Sequence, residues 1–128
     1  MKYAFALLVS LIPILSIASQ DLPSVKLRCS GFVWLNGQKI DLKDGFIDLN
    51  KSVATVRGFG IPDGDYRVIP KSVREDFLAI KNINQPSILG GINRISGSTN
   101  FSQDSVGGKV GDKQILFLGE CVKAKAIF

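Results

Sequence analysis

The sequence contains no histidine, which removes the commonest general base and metal ligand in one step. A Ser-His-Asp triad as usually built goes with it: Ser96, in Ile95-Ser96-Gly97, has no histidine partner and no nucleophile-elbow setting. There are only two cysteines, Cys29 and Cys121, with no Cys-x-x-Cys spacing, so a reactive thiol would have neither a base nor a motif partner. The pairs Gly90-Gly91 and Gly107-Gly108 lack the strand-to-helix context of a phosphate cradle and read as bulges or turns. Carboxylates remain, but Asp63-Gly64-Asp65 runs on into Tyr66-Arg67, without the further oxygen ligands of a calcium loop. Lys71 beside Ser72 falls in an exposed loop, a poor place to lower a lysine pKa for a Ser-Lys dyad. No catalytic residue, metal ligand or cofactor site is therefore assigned, and a non-enzyme is expected.

What the N-terminus does have is one charge at Lys2, an apolar run from Tyr3 to Ile17 broken only by Ser10, Pro13 and Ser16, and small residues at Ala18 and Ser19. This is the layout of a secretory signal over residues 1–19. The run is short of the roughly 20 apolar residues of a membrane span, and no cysteine stands at the cleavage point to be lipidated. The expected product is a secreted or periplasmic protein without a stable membrane anchor, its single domain spanning residues 20–128. The chain carries a net charge of +5, of which Lys2 leaves with the signal. That mild excess is far from a nucleic-acid-binding composition. Two cysteines in an exported chain pair, and a Cys29–Cys121 bridge closing a loop of about 90 residues is worth on the order of 4 kcal/mol in the chain-entropy model.

Along the rest of the chain the hydrophobic period is two. Val25, Leu27, Cys29, Gly31, Val33 and Leu35 share one face of a first strand, which ends at Asn36-Gly37, a hairpin signal because both residues tolerate positive φ. Gln38–Leu42 is its partner, with a turn at Lys43-Asp44-Gly45. A second hairpin has Asn50-Lys51 at its tip, and Pro62-Asp63-Gly64 turns the chain again. Ser72-Val73-Arg74-Glu75 has capping-box spacing and predicts one helical turn near residues 71–76. Residues 88–96 and 114–122 read as further strands. The spacing of about ten residues per strand predicts an all-β fold, a small antiparallel barrel or curled sheet of about eight short strands, with a two-layer sandwich as the alternative.

Two side chains stand out as candidates for a ligand or structural anchor. Arg94 interrupts the apolar stretch Ile92–Ile95; pointing inward it would need a carboxylate, and an edge-facing, solvated arginine is the default. Trp34, with Phe32, lies opposite the cysteine face, and is either core or an aromatic patch for a partner, core being favoured in so small a domain. Asn50-Lys51-Ser52 and Asn100-Phe101-Ser102 match the N-glycosylation pattern, which matters only if the chain is exported through an endoplasmic reticulum.

The start Cys29-Ser30-Gly31, the segment Gly91-Ile92-Asn93-Arg94-Ile95-Ser96-Gly97 and the ending Gly119–Phe128 resemble a group of small exported bacterial proteins of uncharacterised function. The shared features are an early cysteine, an Asp/Asn-Arg-x-Ser/Thr-Gly strand and a Cys-x-x-Ala-x-x-x-Phe tail. The resemblance implies an envelope or secreted location and supplies no activity. The expectation is a non-enzymatic binding domain for a protein or cell-envelope component, with no nucleic-acid partner. The alternatives are a carrier of a small apolar molecule, which requires a cavity of about 300 Å³ or more lined by the two cysteine faces, and an inhibitor of a hydrolase.

Overall fold

The computed structural model describes Leu22, residues 24–104 and residues 113–125; the expected signal at residues 1–19 lies outside them. Eight strands follow in chain order: β1 (Val25–Leu35), β2 (Gln38–Asn50), β3 (Val53–Arg57), β4 (Gly64–Val68), β5 (Phe77–Asn82), β6 (Ile88–Asn93), β7 (Ser98–Asp104) and β8 (Lys113–Lys123). Each pairs antiparallel with the next, and β8 returns to pair with β1, closing an up-and-down barrel. That last pairing excludes the two-layer sandwich and leaves no strand edge within the closed sheet.

Local chemistry sets the strand ends. Asn36 and Gly37 adopt φ of 51° and 79°, as a type I′ turn demands. The turn expected at Lys43-Asp44-Gly45 is instead a bulge within one long strand. The β1–β2 register steps from Cys29↔Gly45 to Gly31↔Leu42, so the one extra residue of β2 is absorbed without ending the ladder. Residues 71–76 form no capped helical turn. A short 3-10 turn spans Pro70–Ser72, and the Ser72 hydroxyl donates to Ile69 O at 2.7 Å while accepting the Ala79 N–H at 2.8 Å, knitting the turn to β5. The strand expected over 88–96 stops at Asn93 because its side-chain oxygen takes the N–H groups of both Ile95 and Ser96, at 2.9 Å each, drawing the backbone into a turn.

Inward residues are predominantly apolar: Cys29, Val33, Ile47, Leu49, Ala54, Val56, Val68, Leu78, Ile80, Ile88, Ile92 and Leu116 are all buried, with Asn82 of β5 and Thr99 of β7 as buried polar residues among them. Four rings fill the middle. Phe59 meets Phe117 edge-on at 4.8 Å and Phe101 at 5.4 Å between centroids, and Tyr66 meets Phe101 at 5.4 Å, geometries that set positive ring edges against negative faces. Phe59 comes from the β3–β4 loop rather than a strand, and its segment is held by Asp63, whose carboxylate accepts the N–H groups of Gly58 and Phe59 at 3.0 and 2.7 Å. An eight-stranded barrel is just wide enough for side chains to fill it. Outward positions carry Lys26, Arg28, Asp48, Thr55, Arg57, Asp65, Arg67 and Lys81, the reverse of the apolar-out alternation of a membrane-spanning barrel.

Candidate functional site

Cys29 and Cys121 are directly opposed across β1 and β8 and joined by a disulfide, both buried among the core residues. Because the bridge points inward, the alternate residues of β1 point out, and these are the ones with chemistry to offer a partner. Phe32 faces outward 39 % exposed, paired in register with Leu118 of β8, which is 42 % exposed. Trp34, two residues on, shares that face and is half-buried. The two-residue turn sets Trp34 opposite Lys39, and the Lys39 ammonium lies 4.1 Å from the Phe32 ring centroid and 5.9 Å from that of Trp34. That is cation–π distance. Toward the other end of the same face, Val122, Arg28, Phe46 and Arg57 form one row across β8, β1, β2 and β3, with Phe46 40 % and Val122 59 % exposed.

This arrangement differs from the expectation that Phe32 belongs to the core: Phe32 and Trp34 stand on the outside of the barrel, with the strand between them and the buried bridge. Lys39, Leu118, Phe46 and Val122 were not singled out by the sequence. Lys39 was within reach of it, since a two-residue Asn36-Gly37 turn pairs positions 34 and 39. Leu118 was not, because β8 joins β1 only by closure of the barrel.

Arg94 lies beyond the end of β6, exposed, and its guanidinium donates to the Arg74 carbonyl at 2.6 Å while its backbone N–H goes to Asp76 O at 2.8 Å. It pins one loop to another through backbone carbonyls, without a carboxylate partner among the described residues. Asp63 and Asp65, the pair weighed for a shared cation, are used separately: Asp63 on the Phe59 loop, and Asp65 accepting the Thr55 hydroxyl at 3.0 Å. Among the described residues no group of three or more cysteines and carboxylates gathers to hold a metal ion. Asn50 and Asn100 are both exposed, Asn50 accepting the Ser24 hydroxyl at 3.0 Å. A shallow groove of about 440 Å³ runs along the outside of the β2–β3 hairpin, lined by Asp48, Asn50, Lys51, Ser52, Val53 and Thr55.

Tyr66 serves the core. Burial pushes the Tyr66 phenol up to about 12, against a lowering hydrogen bond with Asn82 and with a smaller raising contribution from the Asp63 charge; its hydroxyl donates to the Pro62 carbonyl. A phenol so placed is a tether for the β3–β4 loop rather than a base. The chain matches no protein-family model, no curated protein and no solved structure.

Proposed function

We propose that this chain is an exported, non-enzymatic binding domain whose target docks on the outward face of β8, β1 and β2, centred on Phe32 and Trp34. The observation that carries the reading is the exposed Phe32–Leu118 pair beside Trp34, with Lys39 laid over both rings. Aromatic and arginine side chains are the residues enriched at protein interfaces, and a closed barrel offers a partner side chains rather than a strand edge. The buried Cys29–Cys121 bridge accords with residence in an oxidising compartment. A hydrolase is one kind of protein target this face could take.

The interior favours an outside target over a carried small molecule. The rings of Phe59, Tyr66, Phe101 and Phe117 occupy the axis between the walls, where an apolar ligand would have to lie. The test is a quantitative capture from envelope extract with wild-type protein and a Phe32→Ala/Trp34→Ala double variant. A partner retained by the wild type and weakened at least ~30-fold by the variant, the scale of losing a hot spot, supports the face. Equal retention by both proteins would sink it.

A further inference from the structure

The two ends of the barrel differ in charge. One end gathers the β2–β3 turn, the β4–β5 loop, the β6–β7 turn and both ends of the described domain. Among the described residues of those turns, loops and chain ends, the cations are Lys51, Lys71, Arg74, Arg94, Lys123 and Lys125 and the anions Glu75 and Asp76, all exposed. The described loops of the opposite end hold a single charged residue, Asp63, and the strand ends there add Arg57 of β3, Asp104 of β7 and Lys113 of β8, which nearly balance. The excess of positive charge in the sequence is thus concentrated on one pole.

That pole is also one connected surface. Arg94 ties the β6–β7 turn to the β4–β5 loop through the carbonyls of Arg74 and Asp76. The Gly97 carbonyl accepts the Cys121 N–H at 2.8 Å, which sets the same turn against the end of β8, and the Ala124 N–H donates to Lys26 O at 2.8 Å. From this surface projects Ile95, 79 % exposed. Its backbone is locked beneath it: Asn93 Oδ1 takes the N–H groups of Ile95 and Ser96, Gly97 N–H closes on Asn93 O at 2.9 Å, and the Ser98 N–H reaches Ser96 Oγ. Nothing in the fold uses the Ile95 side chain, and the turn presents it without an ordering cost at the moment of contact.

We propose that this basic pole adsorbs reversibly to the anionic phosphate headgroups of a lipid bilayer, with Ile95 entering the interfacial layer. The chemistry favours a bilayer over a compact anion: the cations are spread over four segments and converge on no pocket, and the apolar element projects outward instead of lining a cleft. Lysine and arginine near an anionic membrane contribute about 1 kcal/mol each, within a Debye length of about 10 Å. Such binding is peripheral and salt-sensitive. The pole lies apart from the Phe32–Trp34 face, so a domain held this way leaves that face free for its target.

The experiment uses the disulfide-bonded protein in the form its producing cell leaves it, its N-terminus read by mass spectrometry, in co-sedimentation with vesicles. Vesicles of phosphatidylcholine containing phosphatidylglycerol should bind it and pure phosphatidylcholine should not, with binding lost at least ~10-fold between low salt and about 0.5 M. A Lys71→Glu/Lys123→Glu/Lys125→Glu variant should lose at least ~30-fold, and Ile95→Ser several-fold. Phe32→Ala/Trp34→Ala should bind vesicles as the wild type does, which separates this idea from the target-binding face. Equal binding to both vesicle types, an unaffected triple variant or an unaffected Ile95→Ser would each overturn the proposal. So would retention by heparin without binding to vesicles, which assigns the pole to an anionic glycan.

Discussion

Gly90 of β6 lies directly beneath the ring of its cross-strand partner Phe101 in β7: a Cβ built at position 90 would stand 2.6 Å from Phe101 Cε1 and 2.9 Å from Ile80 Cγ1. The missing side chain is the space the ring occupies. Gly45 stands in the same relation to the Phe59 ring, with both Cε1 and Cζ at 2.6 Å. Glycine is a poor strand former by propensity, and here close-packed rings in the barrel axis outweigh that cost.

Gly90→Ala is therefore expected to destabilise the protein by about 1–3 kcal/mol, the range for forcing a methyl into a packed core, although alanine is intrinsically the better strand residue. A denaturant midpoint at or above that of the wild type would show that the ring has room to move.

Tyr66 makes stability depend on alkaline pH. Its folded pKa, raised to about 12 from 10 chiefly by burial, means that the native state holds the phenolic proton more tightly than the unfolded chain. The contribution is fully present below pH 10 and is lost as pH rises toward 12, by about 2–3 kcal/mol in all. Tyr66 is the only tyrosine in residues 20–128, so phenolate absorbance follows it directly in a protein that begins at residue 20. Tyr66→Phe should flatten the fall in unfolding free energy over that window, and a tyrosine titrating near 10 in the native protein would contradict the argument.

Replacing both cysteines by serine removes a link across 92 residues and is expected to cost about 4 kcal/mol. The bridge joins the first and last strands of the closed sheet, so the β1–β8 seam should open first. Hydrogen exchange should quicken along β1 and β8 before β4 and β5; uniform quickening would argue that the seam has no special weakness.

Gly97 combines a φ of 83° with a position where a Cβ would fall 2.2 Å from the Cys121 carbonyl oxygen. Gly97→Ala should cost more than about 2 kcal/mol, through both the left-handed backbone and the clash. Ser96→Ala, two bonds away in the same turn, should cost well under half as much, since it removes only the contact to the Ser98 N–H. Equal effects would mean that the turn does not depend on the close approach to β8.

The Asn93-Arg94-Ile95-Ser96-Gly97 segment shows how a short motif can be legible and still be misread. Its residues invite a functional search, above all Arg94. In the fold Asn93 caps two N–H groups, Arg94 braces a neighbouring loop, Ser96 accepts a third N–H and Gly97 makes room for β8. Those are structural tasks, and they leave Ile95 as the one side chain of the segment turned wholly to solvent. Sequence alone had no means of ranking these roles, because each depends on which loops share a pole of the barrel.

The sequence by itself determined the all-β class, the Asn36-Gly37 hairpin, the strand faces of β1 and the pairing of its two cysteines. These follow from a period of two, from the φ preferences of single residues and from chemistry local to the chain. Tertiary structure chose between the barrel that the strand spacing favoured and the sandwich, and it alone decided that Lys43 and Asp44 make a bulge instead of a turn. It also decided that Phe59 leaves its loop to fill the axis, and that Phe32 meets Leu118 on the outside while scattered lysines and arginines gather at one end. Each of those depends on register between strands far apart in the chain, which local pattern does not encode and which packing around a shared core selects.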